Sequence, residues 1–168
     1  AAGGAPWQLV AEPTQTDLHA GHADADSGVA VLVGAAGQVL RSADQGAHWE
    51  RISVPSSEGM RRVTRDAASG AWFITGTGGA LLRSSDGAKS WALVPTGTVA
   101  QLRALIREPD TDALLVTGRD GVLLRSTDAG LHWSPLQTHT ASRLKGLALH
   151  PGSGHLLAVG RPLHVTSR

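Results

Sequence analysis

The chain has no cysteine, no tyrosine, one phenylalanine and one methionine among 168 residues. Without cysteine it can build no disulfide framework, no zinc–thiolate centre and no thiol nucleophile. Without tyrosine it cannot attack a substrate through a phenolate. Lysine is also scarce, with two against thirteen arginines, and 15 basic against 14 acidic residues leave a formal charge of +1. Such a balance gives no gross basic field, so no nucleic-acid partner is expected. No apolar run reaches the roughly 20 residues that a spanning helix needs, so no membrane span is expected. The chain starts at Ala1 without a signal-peptide pattern, and is read as a mature, trimmed or excised segment.

What is present is a repeat. Trp7, Trp49, Trp91 and Trp133 stand 42 residues apart, and Leu40-Arg41-Ser42 recurs as Leu82-Arg83-Ser84 and Leu124-Arg125-Ser126 at the same interval. Units 1–42, 43–84, 85–126 and 127–168 therefore stack without insertion, as one repeat array over 1–168. Within the third unit the pattern predicts four short strands, at 101–108, 113–117, 122–125 and 132–136, separated by Gly/Asp/Pro turns. No stretch carries a helical period of useful length. The fold expected is an all-β propeller with four-stranded antiparallel blades of 42 residues. The last unit has strands near 143–149, 154–159 and 163–167, and its fourth strand is Trp7-Gln8-Leu9-Val10. Blades completed by both termini close propeller rings. Closure within one chain would give a four-bladed monomer, closure between two would give an eight-bladed homodimer, and a trimmed piece of a longer protein would show the same pattern without either.

Between the third and fourth strand of each unit lies Ser-x-Asp-x-Gly-x-x-Trp. It reads Ser42, Asp44, Gly46, Trp49 in one copy and Ser126, Asp128, Gly130, Trp133 in another; the middle copy, Ser84, Asp86, Trp91, has its glycine one place early. The fourth copy, leading to Trp7, has lost its aspartate. This pattern resembles the Asp-box, or BNR, repeat. Its residues read as structural: Ser and Asp bind nearby backbone N–H groups, Gly takes a left-handed position and Trp packs on the blade. Arg41, Arg83 and Arg125 are expected to stack and pair beside that Trp. With Leu-Leu-Arg-Ser preceding the box and short 42-residue blades, the chain is similar to the photosystem II assembly-factor family and its bacterial relatives. That resemblance implies a secreted, periplasmic or lumenal propeller, without enzymatic activity, that binds protein segments during membrane-complex assembly through arginine-rich patches.

Sialidases also carry Asp-boxes, but they attack with a Tyr, which is lacking here. Asp24, Asp66 and Glu108 share one column at the end of the first strand, with His150 in the fourth unit. That regularity reads as solvated rim turns rather than a catalytic acid–base pair. His19 and His22 precede Asp24 and Asp26, yet residues three apart on a strand face opposite sides, so no metal site and no cofactor is expected. The functional lead is a second column. His19, Arg61, Arg103 and Lys145 stand near the start of the first strand, where a propeller lines its channel. Four residues on, Arg65 and Arg107 are expected on the same strand face, and Arg62 on the other. These residues either pair with the rim acids Asp66 and Glu108 or reach into solvent, or, if unpaired, form a basic ring at the channel mouth that would capture a carboxylate or phosphate. The reading is a non-catalytic scaffold binding an acidic protein or peptide segment. A carbohydrate-binding or hydrolysing Asp-box protein, with Trp72 beside its groove, is the alternative, and a purely structural half-propeller is the third.

Overall fold

The structure, a computed structural model, describes residues 15–108, 111–149 and 156–161. Blade 1 consists of β1 (Leu18–Ala23), β2 (Ala30–Gly34), β3 (Val39–Ser42) and β4 (Glu50–Arg51). Blade 2 consists of β5 (Met60–Arg65), β6 (Trp72–Gly76), β7 (Leu81–Ser84) and β8 (Ala92–Leu93). Blade 3 consists of β9 (Leu102–Arg107), β10 (Leu114–Gly118), β11 (Leu123–Ser126) and β12 (Ser134–Pro135). Each is an antiparallel meander in sequence order. A fourth sheet pairs β13 (Arg143–Leu149) with β14 (Leu156–Arg161). Among the described residues the only helical element is a 3-10 turn at Ala35–Gly37. The closing strand expected at Trp7–Val10 and the one at 163–167 lie outside the described residues.

The core lies between blades rather than within them. Side chains of a strand alternate between its two faces, and in blades 1 to 3 the second strand is a short, largely apolar run covered on both. In β6, Trp72 and Ile74 join Val31 and Val33 of blade 1 in one cluster. Phe73 points the other way, to Leu114 and Val116 of blade 3. Leu115 then faces Leu144 and Ala158 of the fourth sheet. The largely apolar second strands of blades 1 to 3 thus read as layers sandwiched on both sides. First strands pack on first strands, β1 on β5, β5 on β9 and β9 on β13. This is the blade order of a propeller.

All four first strands carry a β-bulge near the same column. The ladder slips between Leu18 and Ala20, between Met60 and Arg62, and between Leu144 and Gly146. In β9 two residues, Arg103 and Ala104, fall between the pairs Gly118–Leu102 and Val116–Leu105. A bulge places an extra residue on one strand and re-aims its side chain. The residues at the slips include His19, Arg61, Arg103 and Lys145.

The Asp-boxes are held from within. Ser42 Oγ lies 2.8 Å from Asp44 Oδ1 and accepts the Gly46 N–H at 2.8 Å. Asp44 Oδ1 accepts the His48 N–H at 2.9 Å, and the Trp49 indole donates to the Gly46 carbonyl at 3.0 Å. The third box repeats this with Ser126, Asp128, Gly130, His132 and Trp133. The displaced glycine of the second box has a physical reason. The loop needs two successive left-handed residues: Gln45 and Gly46, Gly87 and Ala88, Ala129 and Gly130 all have positive φ. Glycine occupies the second slot in two boxes and the first in the other. Ser84 Oγ accepts the Ala88 N–H at 3.0 Å, so the second box closes as the others do. Its Trp91 indole N–H, however, is buried without a partner among the described residues.

Candidate functional site

The bulged column builds a basic cavity. His19, Arg61 and Arg103, from three successive blades, line one space of about 400 Å³ together with Arg62, Gln101 and Arg119. Lys145 lies on the neighbouring cavity, which shares Arg62 and Arg103 with the first. Arg62 therefore shares a cavity with Arg61, where strict alternation would separate them. The bulge at Arg61 accounts for this, because it breaks the two-residue period at that point.

The cluster is poorly neutralised. Among the described residues no carboxylate forms an ion pair with Arg61, Arg62, Arg103, Arg119, Arg143 or Lys145. The Nε atoms of Arg61 and Arg103 are buried and have no hydrogen-bond partner among the described residues. Burial, and then the charges of Arg143, Arg119, Arg62 and Arg61, push the Arg103 guanidinium below its ordinary value. His19 orients the cluster. Its Nδ1 lies 2.8 Å from the Met60 carbonyl and its Nε2 lies 3.2 Å from Arg61 Nη1. Both contacts are satisfied when Nδ1 carries the proton and Nε2 accepts from the guanidinium. Thr75 donates to the Arg103 carbonyl at 2.7 Å, fixing the backbone beneath that side chain.

Arg65 and Arg107 are not part of this cluster. Arg65 Nη1 binds Asp24 Oδ1 of the preceding blade at 3.0 Å, and Arg107 clasps Asp66 through Nε, at 2.7 Å, and Nη2. Four residues from a bulge is not four residues along a regular ladder, so the shared face expected of Arg61 and Arg65 is lost. The acids on the other side of these pairs are not solvated rim residues. Asp66 is buried, and it also caps its own turn through the Ser69 N–H at 3.0 Å. Burial on its own would raise the Asp66 carboxyl, but hydrogen bonds from Arg107 and Ser69 outweigh it and hold the group at about 2. Glu108 departs from its column mates and meets Arg125 of its own blade at 3.3 Å.

Arg41, expected to pair beside the box Trp, meets Glu50 next to Trp49 at 2.9 Å, and Arg41 and Arg83 also bridge blades. Arg41 Nε donates to the Gly87 carbonyl at 2.8 Å and Arg83 Nε to the Ala129 carbonyl at 2.9 Å, in each case in the next blade's Asp-box. Trp72 is 1% exposed and meets His22 edge-on at 5.4 Å between centroids, so it offers no stacking surface to a sugar. Among the described residues, no three His, Asp or Glu side chains converge as a metal-binding group.

The comparisons with known proteins follow this architecture. The family model described as photosynthesis system II assembly factor YCF48 matches residues 1–161. The chain belongs to this family. None of the curated proteins matches it significantly. YCF48 from Cyanidioschyzon merolae superposes with a TM-score of 0.70 at 18% identity, over 92% of this chain and 53% of that one. A YCF48 bound to D1 peptide gives a TM-score of 0.69 at 22% identity, over 93% and 50%. The GH74 xyloglucanase of Xanthomonas campestris gives 0.64 at 20% identity, over 83% and 26%. At these identities the likeness establishes the propeller fold. The chain spans about half the length of the solved YCF48 structures it matches. Among the described residues no helix is long and apolar enough to cross a membrane.

Proposed function

We propose that this chain is a non-catalytic assembly module that captures an acidic protein segment at the cluster of His19, Arg61, Arg103 and Lys145, extended by Arg62 and Arg119. The observation that carries the reading is the convergence of guanidinium groups that have no carboxylate partner among the described residues. Uncompensated charge of one sign is costly to hold together, and a ligand carboxylate removes that cost. Arginine's planar fork suits it to bind a carboxylate through two hydrogen bonds. YCF48 family membership, and a family structure bound to D1 peptide, support a peptide as the ligand. The same membership supports a lumenal or periplasmic setting. Further blades, or a second copy meeting the first at the terminal strands, would extend the basic column into a ring around a channel.

The test is fluorescence anisotropy with a labelled acidic peptide ending in a free carboxylate, titrated with the whole chain. Binding should weaken at least tenfold in Arg61→Ala and in Arg103→Ala, and steeply with added salt. Equal binding of a basic peptide, or indifference to both substitutions, would overturn the reading.

A further inference from the structure

A second cavity, of about 310 Å³, adjoins the first, and Arg62 and Arg103 belong to the walls of both. Its character differs. Leu105 and Leu147 contribute apolar surface and the buried Phe73 backs the wall, while Arg62, Arg103 and Lys145 stand around it. Leu105 and Leu147 are only half-buried, so each keeps exposed apolar surface beside the cations. The cavity is assembled from three neighbouring sheets, through β5, β6, β9 and β13. These are the elements that position the guanidinium cluster.

We infer that the pair of cavities reads a two-part signal in one peptide: a carboxylate seated among Arg61, Arg103 and Arg119, and an aliphatic side chain within about three residues of it seated over Leu105 and Leu147. The inference rests on the acidic-peptide reading above and adds the feature that selects among acidic peptides. Charge complementarity commits the occupant. An apolar group alone would enter past Arg62, Arg103 and Lys145 without neutralising them, whereas a peptide bearing both groups satisfies the cations while its side chain leaves water. An extended chain advances roughly 3.3 Å per residue, so adjoining cavities suit groups one to three residues apart. Carboxylates alone give attraction and rate, while shape-matched apolar burial gives discrimination.

The experiment compares two labelled acidic hexapeptides on the unmodified chain. Both end in a free carboxylate, and they differ only in a leucine or an alanine two residues before the end. The leucine peptide should bind about tenfold more tightly, as expected for moving a larger aliphatic group from water into a partly open apolar cavity. Leu147→Asp should abolish that preference, while Arg61→Ala should weaken both peptides and leave their ratio unchanged. Equal affinity for the two peptides, with both still lost in Arg61→Ala, overturns the apolar subsite and leaves the acidic-peptide function standing. No binding of either peptide overturns both. The leucine–alanine comparison needs no variant, so a Leu147→Asp chain that fails to fold does not remove the test.

Discussion

Gly130 of the third Asp-box lies against the ring of Phe73 from the preceding blade, so close that a Cβ at position 130 would overlap Cε1 and Cζ of that ring. The equivalent slot in the second box holds Ala88, which shares its cluster with the smaller Val31. The box residue and the strand residue facing it across the blade interface are therefore matched in size. Gly130→Ala should cost about 1–3 kcal/mol through overpacking. In a Phe73→Val background the same change should cost markedly less, since the pair then imitates Val31 and Ala88. Urea unfolding of the four proteins of this cycle measures the coupling. Additive costs would show that the left-handed backbone, not the ring, sets the requirement.

Acid should loosen the interface between blades 2 and 3 in a defined window. The Asp66 carboxyl is held at about 2 in the folded chain, below its ordinary 3.8. A depressed carboxyl stabilises the fold above its unfolded value and loses that contribution as pH falls toward its folded value. The contribution is thus complete above about pH 4 and fades between about 4 and 2. Asp66→Asn should lower stability at neutral pH and flatten its decline through that window. Denaturant midpoints at pH 6, 4, 3 and 2 for both proteins provide the check.

Arg107→Ala removes the other half of the same clasp and leaves a buried carboxylate with its Ser69 contacts only. A loss of about 2–3 kcal/mol is expected, because a buried charge stripped of its partner is costly. Arg107→Lys should recover only part of it, since Nε and Nη2 both engage Asp66. Arg65→Ala tests the matching clasp to Asp24, where a single bond at 3.0 Å predicts a smaller loss.

Neutralising the arginine cluster should have the opposite sign. Arg103 is disfavoured first by burial and then by four neighbouring guanidiniums, so Arg103→Gln should raise the melting temperature while weakening peptide capture. Each kcal/mol gained is worth roughly 2–4 °C in a chain of this size. Sulfate should stabilise the unmodified chain more than it stabilises Arg103→Gln at matched ionic strength. Equal sulfate responses would mean general exclusion of the salt from the surface rather than occupation of the cluster.

The mass in solution tests how the array is completed. Light scattering on a sizing column should give twice the chain's 17.3 kDa if two copies join through their terminal strands. A species at the chain's own mass would overturn that assembly.

The period of 42, the meander and the Asp-box were legible in the sequence because each is written in residue type. Turn glycines, a Trp column and runs such as Ala113 to Thr117 report local backbone and burial directly. The basic column was legible for the same reason, since His19, Arg61, Arg103 and Lys145 align without gaps. What alignment could not convey was the bulge beneath that column. A single extra residue reassigns the strand faces, which is why Arg62 shares a cavity with Arg61 and why Arg65 and Arg107 clasp the preceding blade. The Arg41 and Arg83 bridges were hidden differently: their partners are main-chain carbonyls, which carry no residue signature. A recurring 46-residue offset between donor and acceptor becomes meaningful only once the blades are stacked. Trp72, expected beside a carbohydrate groove in the alternative reading, is core.

Two kinds of bridge between blades recur at like positions of adjacent units: Arg41 to Gly87 and Arg83 to Ala129, then Arg65 to Asp24 and Arg107 to Asp66. Blade 2 both gives and receives each grip. Copying one 42-residue unit in the gene therefore creates one more junction of a kind the protein already knows how to make, with no new contact to invent. Blade number becomes a quantity that tandem duplication and deletion can change freely, while the drift of individual residues proceeds independently within each unit.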